Sequence, residues 1–175
     1  DWKALIAGWA GPHKLVANLP YYITTPLITK ALTEWSTAER LVLTIQDEAA
    51  DRILAKPGTR AYGPLAVLCQ LYGLPVKTRT LPADAFVPRP HIASCLMVIP
   101  GRPDRPDASE WPGLSRFLNS AFSSRRKKLI NSLQPHPLDS WGKQDLLAAL
   151  DQLELGENAR AEAMPPQTLY RLYQL

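Results

Sequence analysis

The apolar positions follow two regimes along the chain, sheet-like up to about residue 100 and helical beyond it. The run KLVA at 14–17 reads as a buried strand that delivers a polar loop, Asn18-Leu19-Pro20. A helix follows, with Thr24 or Thr25 placed to cap it, Pro26 suited to its first turn, and Leu27, Ile28, Ala31, Leu32 and Trp35 recurring at helical spacing. Residues 40–45 contain the continuous run LVLTI, the pattern of a strand covered on both faces, and strand-helix-strand predicts a parallel crossover. A short helix is expected over 46–54, where Glu48 and Arg52 can pair on one face, and Lys56-Pro57-Gly58 ends it. The helix expected over 62–72 is apolar almost all round, which places it against a sheet. Two more strands, at 76–81 and 92–99, flank the Pro-rich loop ADAFVPRPH and predict an antiparallel pair at a sheet edge.

Residues 100–112 are rich in proline and charge, an extended linker composition, and divide an α/β part over 1–102 from a small helical part over 108–175. Helices are expected at 111–133, 143–153 and 166–175, interrupted by QPHPLDS and GENARAEAMPP. The balance of 46% hydrophobic and 21% charged residues excludes wholesale disorder. A net charge of +4 and a pI near 9.2 are compatible with an anionic partner. Cys69 and Cys95 lie in the apolar runs LAVLCQLYG and IASCLMVI without CxxC spacing, and read as buried thiols of a reducing compartment. No apolar stretch approaches the ~20 residues of a membrane span, and no basic-then-apolar leader opens the chain, so a cytoplasmic protein without membrane contact is expected. His13, His91 and His136 are scattered without metal spacing, and no metal is expected. The chain opens at Asp1 without a methionine and reads as a fragment.

The chemistry concentrates in residues 18–27, NLPYYITTPL. An Asn-x-Pro-Tyr loop at a strand end suits methylation of an amino group on a base. The N6 of adenine is a poor nucleophile because its lone pair is delocalised into the ring. If the Asn18 side-chain oxygen and the Leu19 carbonyl each accept one N6 hydrogen, the nitrogen moves towards tetrahedral geometry and its lone pair points at the incoming methyl group. Pro20 stiffens the loop, and Tyr21 offers a ring face on which a flipped base can stack. For these four residues alone, a turn-capping Asn18 and a core-filling Tyr21 remain the competing reading. Further on, Arg125, Arg126, Lys127 and Lys128 cover more than one turn of the helix expected at 111–133, so some of them face solvent while Leu129, Ile130 and Leu133 face the core. They and Lys56 and Arg60, which flank a glycine loop, are candidate phosphate contacts; a solvated helix face is the alternative.

The NLPYYITTPL run resembles the corresponding motif of the KsgA-type (RsmA) small-subunit rRNA adenine-N6,N6-dimethyltransferases, and further segments resemble the same family in the same order. IQDEAADRILAKPGTRAYGPLAVLCQ is similar to its helix, basic loop and helix, with Gln46, Glu48, Arg52, Lys56, Pro57, Gly58, Tyr62, Gly63 and Leu65 at matching positions. AFVPRPHIAS resembles its Phe-x-Pro-x-Pro segment, AFSSRRKKLINSL its C-terminal basic helix, and Arg160-Ala161-Glu162 its closing motif. The resemblance implies the C-terminal part of a Rossmann-like class I methyltransferase sheet followed by a small all-α domain. It implies S-adenosylmethionine as methyl donor and adjacent adenines near the 3′ end of small-subunit (16S) rRNA, in the immature 30S subunit, as substrate. Carried over residue by residue, Asn18 and Leu19 hold the amine, Pro20 fixes the loop, Tyr21 stacks on the base and Phe86 closes the pocket. Asp1 and Asn18 fall to the donor.

The resemblance stops at the N-terminal side. Nothing before Asn18 resembles the family's Gly-rich donor loop, and the glycines are dispersed. A sheet without its first strands exposes an edge, which predicts self-association or pairing with another chain. The expectation is therefore a dimethyltransferase that is inactive in this truncated form, with an rRNA-binding assembly module as the alternative. A large-subunit rRNA methyltransferase is disfavoured by the NLPYY and KPGTRAYGPL segments.

Overall fold

The computed structural model describes residues 13–124, 127–133 and 142–175. The α/β part runs β1 (Lys14–Asn18), α1 (Thr24–Glu34), β2 (Arg40–Gln46), α2 (Asp47–Ile53), α3 (Pro64–Tyr72), β3 (Val76–Leu81) and β4 (Ser94–Pro100). The helical part follows with α4 (Trp111–Ala121), α5 (Leu129–Ser132), α6 (Lys143–Gln152) and α7 (Pro166–Gln174). The strands form one mixed sheet in the order β1-β2-β4-β3.

The crossover through α1 leaves β1 and β2 parallel, with Asn18 level with Thr44 at their C-terminal ends. β4 pairs antiparallel with both β2 and β3, so the hairpin-like pair does lie at one side of the sheet, with β3 alone as the outer strand. Register sets Leu41, Leu43 and Ile45 opposite Ile99, Met97 and Cys95. All six are buried, and this face carries the core under α1 and α3. Burying each aliphatic side chain of this kind stabilises by about 1.5–3 kcal/mol relative to leaving it in water. The other face of β2, at Val42, Thr44 and Gln46, is only half-buried, so the continuous LVLTI run belongs to a strand fully covered on one side rather than two.

Several local expectations change in detail. Neither Thr24 nor Thr25 caps α1; Thr24 is buried, and its hydroxyl instead donates to the Pro20 carbonyl at 3.2 Å. The expected 62–72 helix starts at Pro64, which suits a first turn because it has no N–H to leave unpaired. Tyr62 thus precedes the helix. At its far end Gly73 bridges to Gly101, and a Cβ on Gly73 would collide with the Pro100 carbonyl, so this approach requires glycine.

The Pro-rich connection after β4 is irregular but packed, not a free linker. Gly101 N donates to Glu39 O and Arg102 N to Tyr72 O, both at 2.8 Å. The Arg105 guanidinium lies 5.2 Å over the Tyr72 ring, and buried Trp111 donates its indole N–H to the Pro106 carbonyl. Beyond it, α4 packs on α1 and α3, and α7 on α3 and α4. Leu114, Phe117, Leu129, Leu150 and Leu169 belong to the same apolar cluster as the sheet residues.

The single helix expected over 111–133 is two. α4 stops at Ala121, Lys128 is extended, and α5 is a separate short turn. Consecutive serines at 123 and 124 compete for the helical backbone groups, and the Leu129 N–H is drawn to the Ala159 carbonyl at 2.8 Å instead. Lys127 and Lys128 are exposed in the junction rather than lying on a helix face. Arg125, Arg126, His136 and Asp1 lie outside the described residues.

Candidate functional site

The site grows from the C-terminal ends of the two parallel strands. Asn18 is the last residue of β1, and the ladder continues for one more bond, Leu19 N to Thr44 O at 3.0 Å. The Leu19 side chain is buried in the core, which anchors the loop at its second residue. Pro20 then turns the chain into a short 3-10 turn, Tyr21–Ile23, and its carbonyl accepts from both Ile23 N and the Thr24 hydroxyl. The loop is thus held by backbone and core contacts. The Asn18 carboxamide is left exposed, without a hydrogen-bond partner among the described residues.

Facing this loop is the segment between β3 and β4. A 3-10 turn at Ala83–Ala85 leads into an extended Phe86, half-buried, followed by Val87 and two prolines. Between the two walls is a cleft of about 590 Å³, lined on one side by Asn18, Leu19, Pro20 and Tyr21 and on the other by Phe86 to Ile92. All five residues read from the sequence as the base-holding group therefore line one cavity, although Phe86 lies far along the chain from Tyr21.

Two residues outside that group belong to the same place. Gln46, at the end of β2, lines the cleft with a carboxamide that has no partner among the described residues. Ser94, at the start of β4, is fully buried and lies 2.6 Å from the Tyr21 hydroxyl. A polar residue opening an otherwise apolar strand, as in SCLMVIP, was the available signal for Ser94. Gln46 stands at the mouth of a strand end in the same way.

The basic residues gather elsewhere. Lys56 and Arg60 do not line the cleft. Gly58, at φ +82°, lets their loop turn sharply, and its N–H donates to the Glu162 carbonyl at 2.7 Å. The Leu129 N–H reaches Ala159 in the same C-terminal turn. The backbone near Lys56 and near Lys128 is thereby tied to the segment 159–162, which carries Arg160, and all three basic residues are exposed. A second cavity of about 280 Å³ lies between β1 and α1, lined by Leu15, Leu19, Leu27, Ile28 and Leu43 among others, and its walls are almost wholly apolar. No described helix is long and apolar enough to cross a membrane.

A mixed sheet with parallel β1-β2, an antiparallel β4 inserted beside them, and an Asn-x-Pro-Tyr loop at the strand ends defines a Rossmann-like methyltransferase sheet. The family model for ribosomal RNA adenine dimethylases matches residues 10–175, and the chain belongs to that family. It is 38% identical to the ribosomal RNA small subunit methyltransferase A of Latilactobacillus sakei, over 98% of this chain and 60% of that protein. It is also 38% identical to the protein of that name from Salinibacter ruber, over 82% of this chain and 47% of the relative. The chain thus spans about half to three-fifths of the length of these relatives. In fold it is similar to a dimethyladenosine transferase from Plasmodium falciparum, with a TM-score of 0.76 at 21% identity over 94% of this chain and 66% of that one. The 23S rRNA methyltransferase ErmE is a more distant likeness, with a TM-score of 0.59 at 20% identity over 97% of this chain and 68% of that one.

Proposed function

We propose that this chain forms the adenine-holding and RNA-docking part of a dimethyltransferase that converts adjacent adenines near the 3′ end of small-subunit rRNA to N6,N6-dimethyladenine. The observation that carries the reading is the cleft itself, in which the Asn18 carboxamide, without a partner among the described residues, the Leu19-Pro20 turn and two aromatic rings from opposite walls line one cavity. Asn18 and the Leu19 carbonyl accept the two N6 hydrogens and localise the nitrogen lone pair. Tyr21 and Phe86 take the faces of the flipped base, each stack contributing about 1–3 kcal/mol. S-adenosylmethionine supplies the electrophilic methyl group. Asn18, at the strand end with a carboxamide that has no partner among the described residues, suits the polar contacts such a donor needs, and the family resemblance assigns Asp1 to the donor as well. After each transfer the acidic ammonium loses its proton to water, so no strong base is required of the chain.

The surface around Lys56, Lys128 and Arg160 supports docking to rRNA in the immature 30S subunit, in the cytoplasm, by phosphate contacts that carry no sequence choice. The same surface favours the second reading, an rRNA-binding assembly module without catalysis. The outer edge of β1 has no strand partner among the described residues and is suited to strand addition by a second copy.

One experiment separates the readings. The chain is joined to the donor-binding N-terminal segment of the Latilactobacillus sakei relative and assayed on undermethylated small subunits. Methylation is expected, and Asn18→Ala should lower it by about 100-fold or more while RNA affinity holds. A folded chimera without activity favours the docking module, and equal loss of activity and RNA binding removes the role given to Asn18.

A further inference from the structure

Among the described residues, the Tyr21 hydroxyl makes no hydrogen bond within its own loop. Tyr21 opens a three-residue 3-10 turn without a side-chain cap, is half-buried, and forms part of the cleft wall. Its hydroxyl lies 2.6 Å from the Ser94 hydroxyl, 73 positions away. Ser94 is of a different kind from the loop residues around it. It is fully buried, and as the first residue of β4 it is paired in register with Gln46 of β2 on one side and Leu81 of β3 on the other. A strand held on both edges is rigid compared with either loop. Tyr21 is the only side chain bonded to the Ser94 hydroxyl among the described residues, and a buried hydroxyl strongly disfavours losing its partner.

We propose that Ser94 is a positioning residue of the adenine cleft, holding the Tyr21 hydroxyl so that the Tyr21 ring and the Phe86 loop stay one purine apart. The proposal rests on reading the cleft as an adenine site. The geometry explains how the hold works. With Cβ fixed by the turn and the hydroxyl fixed by Ser94, the ring axis has one direction, which selects a single χ1 well. A phenol prefers its hydrogen bond near the ring plane, which biases χ2 as well. Ser94 also lies two residues after the segment 86–92 that forms the opposite wall, so one bond ties both walls to the same strand end. Preorganisation of this kind acts on how the base is held, not on phosphate affinity.

The test uses the chain itself and a single-stranded small-subunit RNA oligonucleotide with 8-vinyladenine at the target position, which keeps the 6-amino group and whose emission falls when the base stacks. Each variant is first shown to be folded by circular dichroism. At saturating wild-type protein the emission is quenched. Ser94→Ala and Tyr21→Phe should each restore a large part of it, while the slope of log K against log salt, which reads the phosphate contacts, stays at the wild-type value. The double variant should match the single ones, since both remove the same bond. Tyr21→Phe sits at the surface and keeps the test alive if Ser94→Ala does not fold. If Tyr21→Ala and Phe86→Ala restore emission but Ser94→Ala and Tyr21→Phe do not, the positioning role is overturned and the adenine cleft stands. Additive single effects in the double variant likewise overturn the role. If the wild type produces no quenching, or Tyr21→Ala and Phe86→Ala leave it unchanged, the adenine reading fails and the proposal with it.

Discussion

The Tyr62 hydroxyl donates to the Met164 carbonyl at 2.8 Å, joining the basic loop before α3 to the C-terminal turn 102 residues later. The residue is buried, its ring meets Phe122 edge-on at 5.8 Å, and burial pushes its phenol well above the usual range. Tyr62→Phe keeps the ring and strands a buried carbonyl. It should destabilise the chain by about 1–3 kcal/mol. In urea titrations the midpoint should fall while the slope stays constant; an unchanged midpoint would show that this tie adds nothing to stability.

Burial also sets an alkaline limit. The Cys95 thiol is pushed up to about 11 from its ordinary 9.0 by loss of hydration, with the Asp47 carboxylate adding to it, and the Tyr72 phenol to about 12 from 10.0 by burial. Between each pair of values the unfolded chain has released a proton that the folded chain still holds. Rising pH therefore favours unfolding across that window. Stability should be full below pH 9 and decline as pH rises from there towards 12. Cys95→Ala should flatten the part of the decline between pH 9 and 11. Denaturation midpoints that stay constant from pH 8 to 11 would contradict the assignment, as would rapid reaction of either buried cysteine with a thiol reagent in the native protein at pH 8.

Lys127 and Lys128 are exposed at a non-helical junction next to the Leu129–Ala159 bond. If they meet phosphates, replacing both by Ala weakens RNA binding without changing sequence preference. The slope of log K against log salt should become shallower by about 0.7–0.9 for each contact removed. Filter binding of small-subunit RNA over a salt series measures it. An unaltered slope would make these lysines a solvated surface.

Much of this was legible in the order of residues. The strand at Lys14–Asn18, the helix after it, the parallel crossover, the apolar helix α3 and the antiparallel pair all follow from local periodicity, because burying one face of each element fixes where its apolar residues recur. The Asn-x-Pro-Tyr loop was legible too, since a strand end followed by proline is a local device. The break between α4 and α5 was not. Its serines disfavour helix only weakly, too little to mark a stop, and the Leu129 N–H is taken by a carbonyl at Ala159 that no local window contains.

The amino-acid sequence by itself marked Asn18, Leu19, Pro20 and Tyr21, and through the family resemblance Phe86, as candidates for holding an adenine. Only the tertiary structure decided that they line one cleft, that Gln46 joins them, and that the Ser94 hydroxyl lies within hydrogen-bond reach of Tyr21. It also packed the Pro-rich connection against Tyr72 and tied the backbone near Lys56 and near Lys128 to the segment that carries Arg160. The physical reason is common to all of these. Each depends on a hydrogen bond or contact between elements far apart in the chain, and no periodicity within a single element encodes that pairing.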